Sequence, residues 1–270
     1  MSDSRLLLHV AHGALQGHKN AFICTVDSDV VVLALSFYSK LKLKELWIGF
    51  GSVKSYKELP IHEMYTQLGA AKANVLPLFH AISGSDTTSQ MFGIGKKTAW
   101  AAWEMYPEVT NTLKKLMKKP NLFTIDSEHM AHLERWIVLM YSKGCGAAHV
   151  NEARMQLFSH GLHSLEDIPP TQAALYQHIR RALLQAAFIW NQSLQCQQAI
   201  PDQSDWGWTL NNNKWSPFWT TLGNASKACA VLFHCNCTKA CHGNCKFCKA
   251  GLKCTTLCKC EGGCINNDYT

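Results

Sequence analysis

Nine of the chain's 13 cysteines crowd into the stretch from Cys235 to Cys264, as Cys235, Cys237, Cys241, Cys245, Cys248, Cys254, Cys258, Cys260 and Cys264. The residues between them are mostly Lys, Gly, Asn and Thr. That leaves too little apolar surface to fold by burial, so cross-links must hold the segment. Disulfides fit poorly, because nine is odd and the N-terminus has no secretory signal pattern. Thiolates in a reducing compartment take Zn²⁺ instead. Three tetrahedral ions need twelve Zn–S bonds, which nine cysteines supply when six bind one ion each and three bridge two. A small zinc-stabilised module is therefore predicted at 235–264.

The other residues must fold by ordinary means. With 270 residues, 47% hydrophobic and 17% charged, the chain can bury one large core. No segment has the apolar length of a membrane span, so a soluble intracellular protein is expected. The net charge of +7 favours an acidic partner.

Two stretches carry the chemistry. Ala21 to Val26 is a short β-branched run ending in Asp27-Ser28-Asp29. Extended residues i and i+2 point the same way, so Asp27 and Asp29 are expected to project together from a strand's carboxyl end, where α/β sheets place ligands. Further on, Leu78 to Ser85 ends in Asp86, and Gly93-Ile94-Gly95-Lys96-Lys97 then opens a helix. Gly93 and Gly95 let the backbone approach a polyanion, the first helical amides point outward, and Lys96 and Lys97 add charge. Taken alone, Gly-x-Gly before a helix is a tight turn. Beside three aspartates it reads as a phosphate grip next to metal ligands.

Thr25-Val26-Asp27-Ser28-Asp29, followed by Gly84-Ser85-Asp86 and Gly93-Ile94-Gly95-Lys96-Lys97-Thr98-Ala99, resembles the core of the flap-endonuclease and PIN-like nucleases. Phe79 to Thr88 is similar to a transposon-associated branch with an appended cysteine module, and the resemblance covers most of the chain. It implies an α/β fold in which a parallel sheet flanked by helices carries acidic Mg²⁺ or Mn²⁺ ligands, here Asp27, Asp29 and Asp86. It also implies a helix-turn-helix at Gly93, Gly95, Lys96 and Lys97 that holds duplex DNA through a bound K⁺. Related chains carry Glu-Glu-Ala-Asp-Thr-Arg at their first helix, of which Asp3-Ser4-Arg5 remains. Asp3 is then a metal ligand, or simply the helix cap its position suggests. The family's first strand, with its own aspartate, has no counterpart, so the sequence reads as N-terminally truncated within the active site. The spacing from Cys235 to Cys264 resembles the tesmin-type CXC domains, DNA-binding modules with a three-zinc cluster. A single repeat is present, and Phe247 is the only aromatic residue among its cysteines.

In order along the chain, a PIN-like α/β core is expected at 1–106, with a helix from Asp3 towards Gly17, a buried helix over Val30 to Tyr38 and a strand at Leu46 to Phe50. A second extended piece and a helix opened by Pro60 follow. His62 and His80 read as helix or core histidines. A helical extension fills 107–195, with helices at Glu108–Lys118, Glu128–Tyr141, Ala147–His160 and Thr171–Leu194. Lys114, Lys115, Lys118 and Lys119 gather on one helical face, either solvated or contacting DNA. Cys145 lacks a base partner and reads as inert. Residues 196–234 form a Trp-rich connector in which Trp206, Trp208, Trp215 and Trp219 either anchor an irregular segment against the helical layer or offer a base-stacking platform, packing being the preferred reading.

The function expected is that of a DNA-binding protein derived from a structure-specific nuclease, nuclear, and weakly active or inactive because its acids are depleted. The alternative is an active endonuclease in which Asp27, Asp29, Asp86 and Asp3 hold two divalent ions that activate water and stabilise the leaving oxygen. RNA stays open as a ligand, because phosphate contacts do not report the sugar.

Overall fold

The computed structural model describes residues 3–52, 54–159 and 167–220, together with Cys235, Cys237, Cys241, Cys245, Cys254, Cys258, Lys259 and Cys260; the side chains of Asp3 and Ser4 are not described. The chain divides into two compact units, residues 1–219 and 220–270. The expected core, the helical extension and much of the Trp-rich connector thus fall within the first.

The β-branched run after Lys19 forms β1 (Asn20–Thr25), and β2 (Glu45–Phe50) lies beside it in parallel, in register from Asn20↔Glu45 to Thr25↔Phe50. A parallel pair needs a long crossover, and α2 (Ser28–Leu41) supplies it. The third strand, β3 (Lys57–Pro60), pairs with β2 antiparallel, from Trp47↔Pro60 to Phe50↔Lys57. Residues 51–56 are too few for a crossover, so the chain folds straight back. The fold is mixed α/β, with a small mixed sheet where the sequence predicts a parallel one.

α1 (Asp3–Leu15) packs on α2. After β3 come α3 (Ile61–Leu68), with Pro60 at its cap, α4 (Ala70–Ala73) and α5 (Leu76–Ile82). The helical region follows as α6 (Lys96–Met105), α7 (Val109–Lys118), α8 (Glu128–Tyr141), α9 (Val150–Ser159) and α10 (Gln172–Leu183). The helix predicted at Thr171–Leu194 stops being α-helical at Leu183, where a wider π turn takes over through Ile189. One hydrophobic core runs from Leu7 to Trp208. Phe79 on α5 stacks on Trp103 of α6 with ring centroids 4.9 Å apart and lies 5.9 Å from Trp136 of α8, tying these helices together. Each such ring pair adds about 0.5–1.5 kcal/mol beyond area burial.

The Trp-rich segment is more regular than its composition suggests. β4 (Trp208–Asn211) and β5 (Lys214–Pro217) form a hairpin whose turn residues Asn212 and Asn213 take φ values of 48° and 58°. Consecutive left-handed residues match the twist of a two-residue hairpin, and Asn tolerates them. Trp206 packs on Phe188 with centroids 4.7 Å apart, whereas Trp219 is 78% exposed. Among the described residues, no helix is long and apolar enough to cross a membrane.

Candidate functional site

The region flagged by sequence converges on the carboxyl end of α5. A helix leaves its last carbonyls without intrahelical donors. Here each is met from elsewhere. Ser83 Oγ donates to Phe79 O, Thr88 Oγ1 to Ala81 O and the His178 ring to Ile82 O, while the Lys96 ammonium reaches His80 O and Gly84 O. Gly84 has φ +105°, and a Cβ there would stand 2.9 Å from the Gln90 Cβ, so the turn requires glycine. Ser85 and Thr88 then close a tight turn with Asp86 exposed on it. Much of the wording from Phe79 to Thr88 thus serves to end one buried helix.

The aspartates take different places. β1 ends at Thr25, so Asp27 and Asp29 do not project side by side from extended chain. Asp27 is the N-cap of α2, its Oδ1 accepting the Asp29 N–H at 2.8 Å, and Thr25 Oγ1 accepts the Asp27 N–H at 3.0 Å. Asp29 lies in the first turn of α2 with its carboxylate turned inward, where the His80 Nε2–H donates to Oδ1 at 2.7 Å. Both residues of that pair are buried. The Asp3 side chain lies outside the described residues. Among the described residues, the groups of three or more side chains able to share a metal ion consist of cysteines, and Asp27, Asp29 and Asp86 do not form one.

The phosphate grip is also divided. Gly93 has φ +70°, and Gly95 caps α6 without a side-chain hydrogen bond. Nothing lies within 4 Å of a Cβ built at either glycine, so the approach to the α6 amides is open. Lys97 is exposed beside them. Lys96 is exposed as a residue, yet its ammonium folds back onto α5, 3.1 Å from both His80 O and Ser83 Oγ. Burial lowers its pKa to about 8, against the opposing pull of Asp29. On α7, Leu113, Leu116 and Met117 face the core and Lys114, Lys115, Lys118 and Lys119 face solvent. Lys115 and Lys118 lie in the last turn and Lys119 is its C-cap, where cations complement the helix dipole. Burial and then the charge of Lys115 hold the His129 pKa below its ordinary value.

The cysteine unit fits a metal closely. Tetrahedral Zn²⁺ with Zn–S bonds of about 2.3 Å sets its sulfurs about 3.8 Å apart. Cys235 Sγ lies 3.4 Å from Cys241, 3.8 Å from Cys260 and 3.9 Å from Cys254, while Cys241 lies 3.5 Å from Cys254 and 4.0 Å from Cys260. These are five of the six edges of an ion-sized tetrahedron, and the sixth, between Cys254 and Cys260, is within 4.8 Å. Cys235, Cys237, Cys241 and Cys245 form a second quartet within 4.8 Å, so Cys235 and Cys241 belong to both. The Cys235 N–H donates to Cys258 Sγ at 3.2 Å, the kind of outer bond that orients a metal-binding thiolate. The cysteines can therefore hold metal, consistent with structural zinc. Cys248 and Cys264, needed for the nine-ligand count, lie outside the described residues.

Sequence reasoning placed His80 in the core but missed its partner Asp29, 51 residues away. No local spacing links the two. No family model, curated protein or solved structure matches the chain.

Proposed function

We propose that the chain is a DNA-binding protein on a flap-endonuclease or PIN-like frame that cleaves phosphodiesters slowly or not at all. The observation that carries this reading is the inward turn of Asp29 and Lys96. A nuclease needs these two groups facing its ligand, and here they meet His80 and the end of α5. The cationic and donor groups left facing solvent are Lys97, the open α6 amides and the four lysines of α7, beside one exposed acid, Asp86. They suit a phosphate backbone without supplying hydrolytic chemistry. A K⁺ at the Gly93–Lys97 turn and a nuclear location belong to the same proposal. So does a count of three Zn²⁺ in a CXC-type module.

The test combines cleavage assays with Mg²⁺ or Mn²⁺ on flap, single-stranded and duplex substrates with duplex binding measured against salt. Replacing Lys114, Lys115, Lys118 and Lys119 with Ala should flatten the salt slope by about 0.9 per lost phosphate contact. Rapid turnover abolished by Asp86→Asn would replace this reading with the active metal-dependent endonuclease. An unchanged salt slope would remove α7 from the interface.

A further inference from the structure

Four thiolates saturate a tetrahedral Zn²⁺, so two independent ions need eight. The cysteine unit places six described sulfurs in two overlapping quartets, Cys235, Cys241, Cys254 and Cys260 in one and Cys235, Cys237, Cys241 and Cys245 in the other, each within 4.8 Å. Cys235 and Cys241 are common to both. The remaining pairs, Cys254 with Cys260 and Cys237 with Cys245, do not join into a single group at that distance. Two tetrahedra with two corners in common share an edge, and an ion on either side of that edge completes both.

The distances around the shared edge agree with this arrangement. Cys235 Sγ and Cys241 Sγ stand 3.4 Å apart, closer than the 3.5–4.0 Å that separates either of them from Cys254 or Cys260. Two cations that face each other across a pair of sulfurs repel, and a short shared edge puts more negative charge between them. With Zn–S bonds of about 2.3 Å, a 3.4 Å edge sets the ions about 3.1 Å apart. Burial agrees as well, since a sulfur bonded to two ions is enclosed by the ligands of both. Cys235 and Cys241 are 5% and 2% exposed, and each quartet has its half-buried member, Cys260 or Cys237, in the unshared pair. The backbone of Cys235 is pinned on both sides, its N–H donating to Cys258 Sγ at 3.2 Å and its carbonyl accepting the Lys259 N–H at 3.1 Å. Sharing also reduces the charge held in the unit. Two separate four-thiolate shells carry about −4 in total, whereas two ions among six thiolates carry about −2, which lowers the cost of burying them.

We propose that the unit holds two of its ions as a doubly bridged pair, with Cys235 and Cys241 binding both, Cys254 and Cys260 completing one shell and Cys237 and Cys245 the other. The proposal rests on the reading of this unit as a zinc module and goes beyond its ion count, because nine cysteines also suffice for three ions joined two by two through single sulfurs. A single sulfur with a tetrahedral bond angle leaves its two ions about 3.8 Å apart. The double bridge leaves three cysteines and one further bridge for a third ion, so the nine-cysteine count still closes.

The test uses the full, unaltered chain loaded with ¹¹³Cd²⁺, a divalent ion that takes tetrahedral thiolate sites, and reads it by NMR. One pair of ¹¹³Cd resonances should be coupled to each other, with the β protons of both Cys235 and Cys241 correlated to both members. Within that pair, the β protons of Cys254 and Cys260 should meet only one resonance and those of Cys237 and Cys245 only the other. X-ray absorption on the zinc-loaded chain should show a metal–metal distance near 3.1 Å. Correlations in which no two resonances have more than one cysteine in common would overturn the double bridge while leaving the zinc module intact, as would a metal–metal distance of about 3.8 Å alone. Failure of the chain to retain any divalent ion in native mass spectrometry would overturn both readings together.

Discussion

His178 permits a quantitative test of how the end of α5 is held. Its ring is buried on α10 and donates to Ile82 O at 2.8 Å, joining the helical layer to the turn that carries Asp86. Burial lowers its pKa from 6.5 to about 4, partly offset by the Ile82 bond and reinforced by Arg181. As pH falls below 6.5, the unfolded chain takes up a proton that the folded chain refuses until about 4. Stability therefore falls across that window as acid is added. The shift corresponds to about 2 kcal/mol lost by pH 5 and about 3 kcal/mol by pH 4. Gln carries no charge at any of these pH values and retains an N–H that can reach Ile82 O. His178→Gln should therefore lose about 2 kcal/mol less than the unaltered protein between pH 7 and pH 5. Urea unfolding followed by tryptophan fluorescence reads this as a difference of roughly 1 M in how far the midpoints move. Loss of metal from the cysteine unit in acid affects both chains and cancels in the comparison. Equal midpoint shifts would show that His178 is already protonated in the fold, and the account of α5 as closed by a neutral histidine would fail.

The remaining predictions separate structural from metal-binding roles. Asp29→Ala strands the buried His80 ring and should cost about 3 kcal/mol, whereas Asp27→Ala removes a helix cap worth about 1 kcal/mol. Asp86→Ala changes an exposed turn residue and should cost under about 0.5 kcal/mol. Thermal melts ranking Asp86 with or above Asp29 would contradict the buried pair. In the cysteine unit, Cys235→Ser removes a sulfur common to both quartets and should lower zinc occupancy at two positions, against one for Cys237→Ser. Native mass spectrometry counts the ions, and equal losses would show that Cys235 does not bridge.

Local pattern sufficed where the physics was local. The β-branched run and the apolar spacings placed β1, β2, α2 and α8 close to where they lie, because period and capping act within a few residues. The cysteine count alone called for metal, since that segment has nothing else to fold around, and the sulfur spacings agree. The reversal into β3 follows from the shortness of residues 51–56, a constraint visible in sequence but overridden in the reading by expected strand alternation. The Asn212–Asn213 pair is an equally local hairpin signal, because consecutive asparagines tolerate the left-handed turn, even though the tryptophans around it dominate the composition. What no local pattern contained was the orientation of the charged groups. Asp29 and Lys96 look like ligands in a linear sequence, yet His80, Ser83 and the carbonyls ending α5 reach them only after the helices pack. Phe22 and Tyr56 likewise stay half exposed because, among the described residues, no element folds over them. Composition determined that there would be a core and a cysteine cluster; packing decided which charges were consumed in holding the fold together and which remained to meet a ligand.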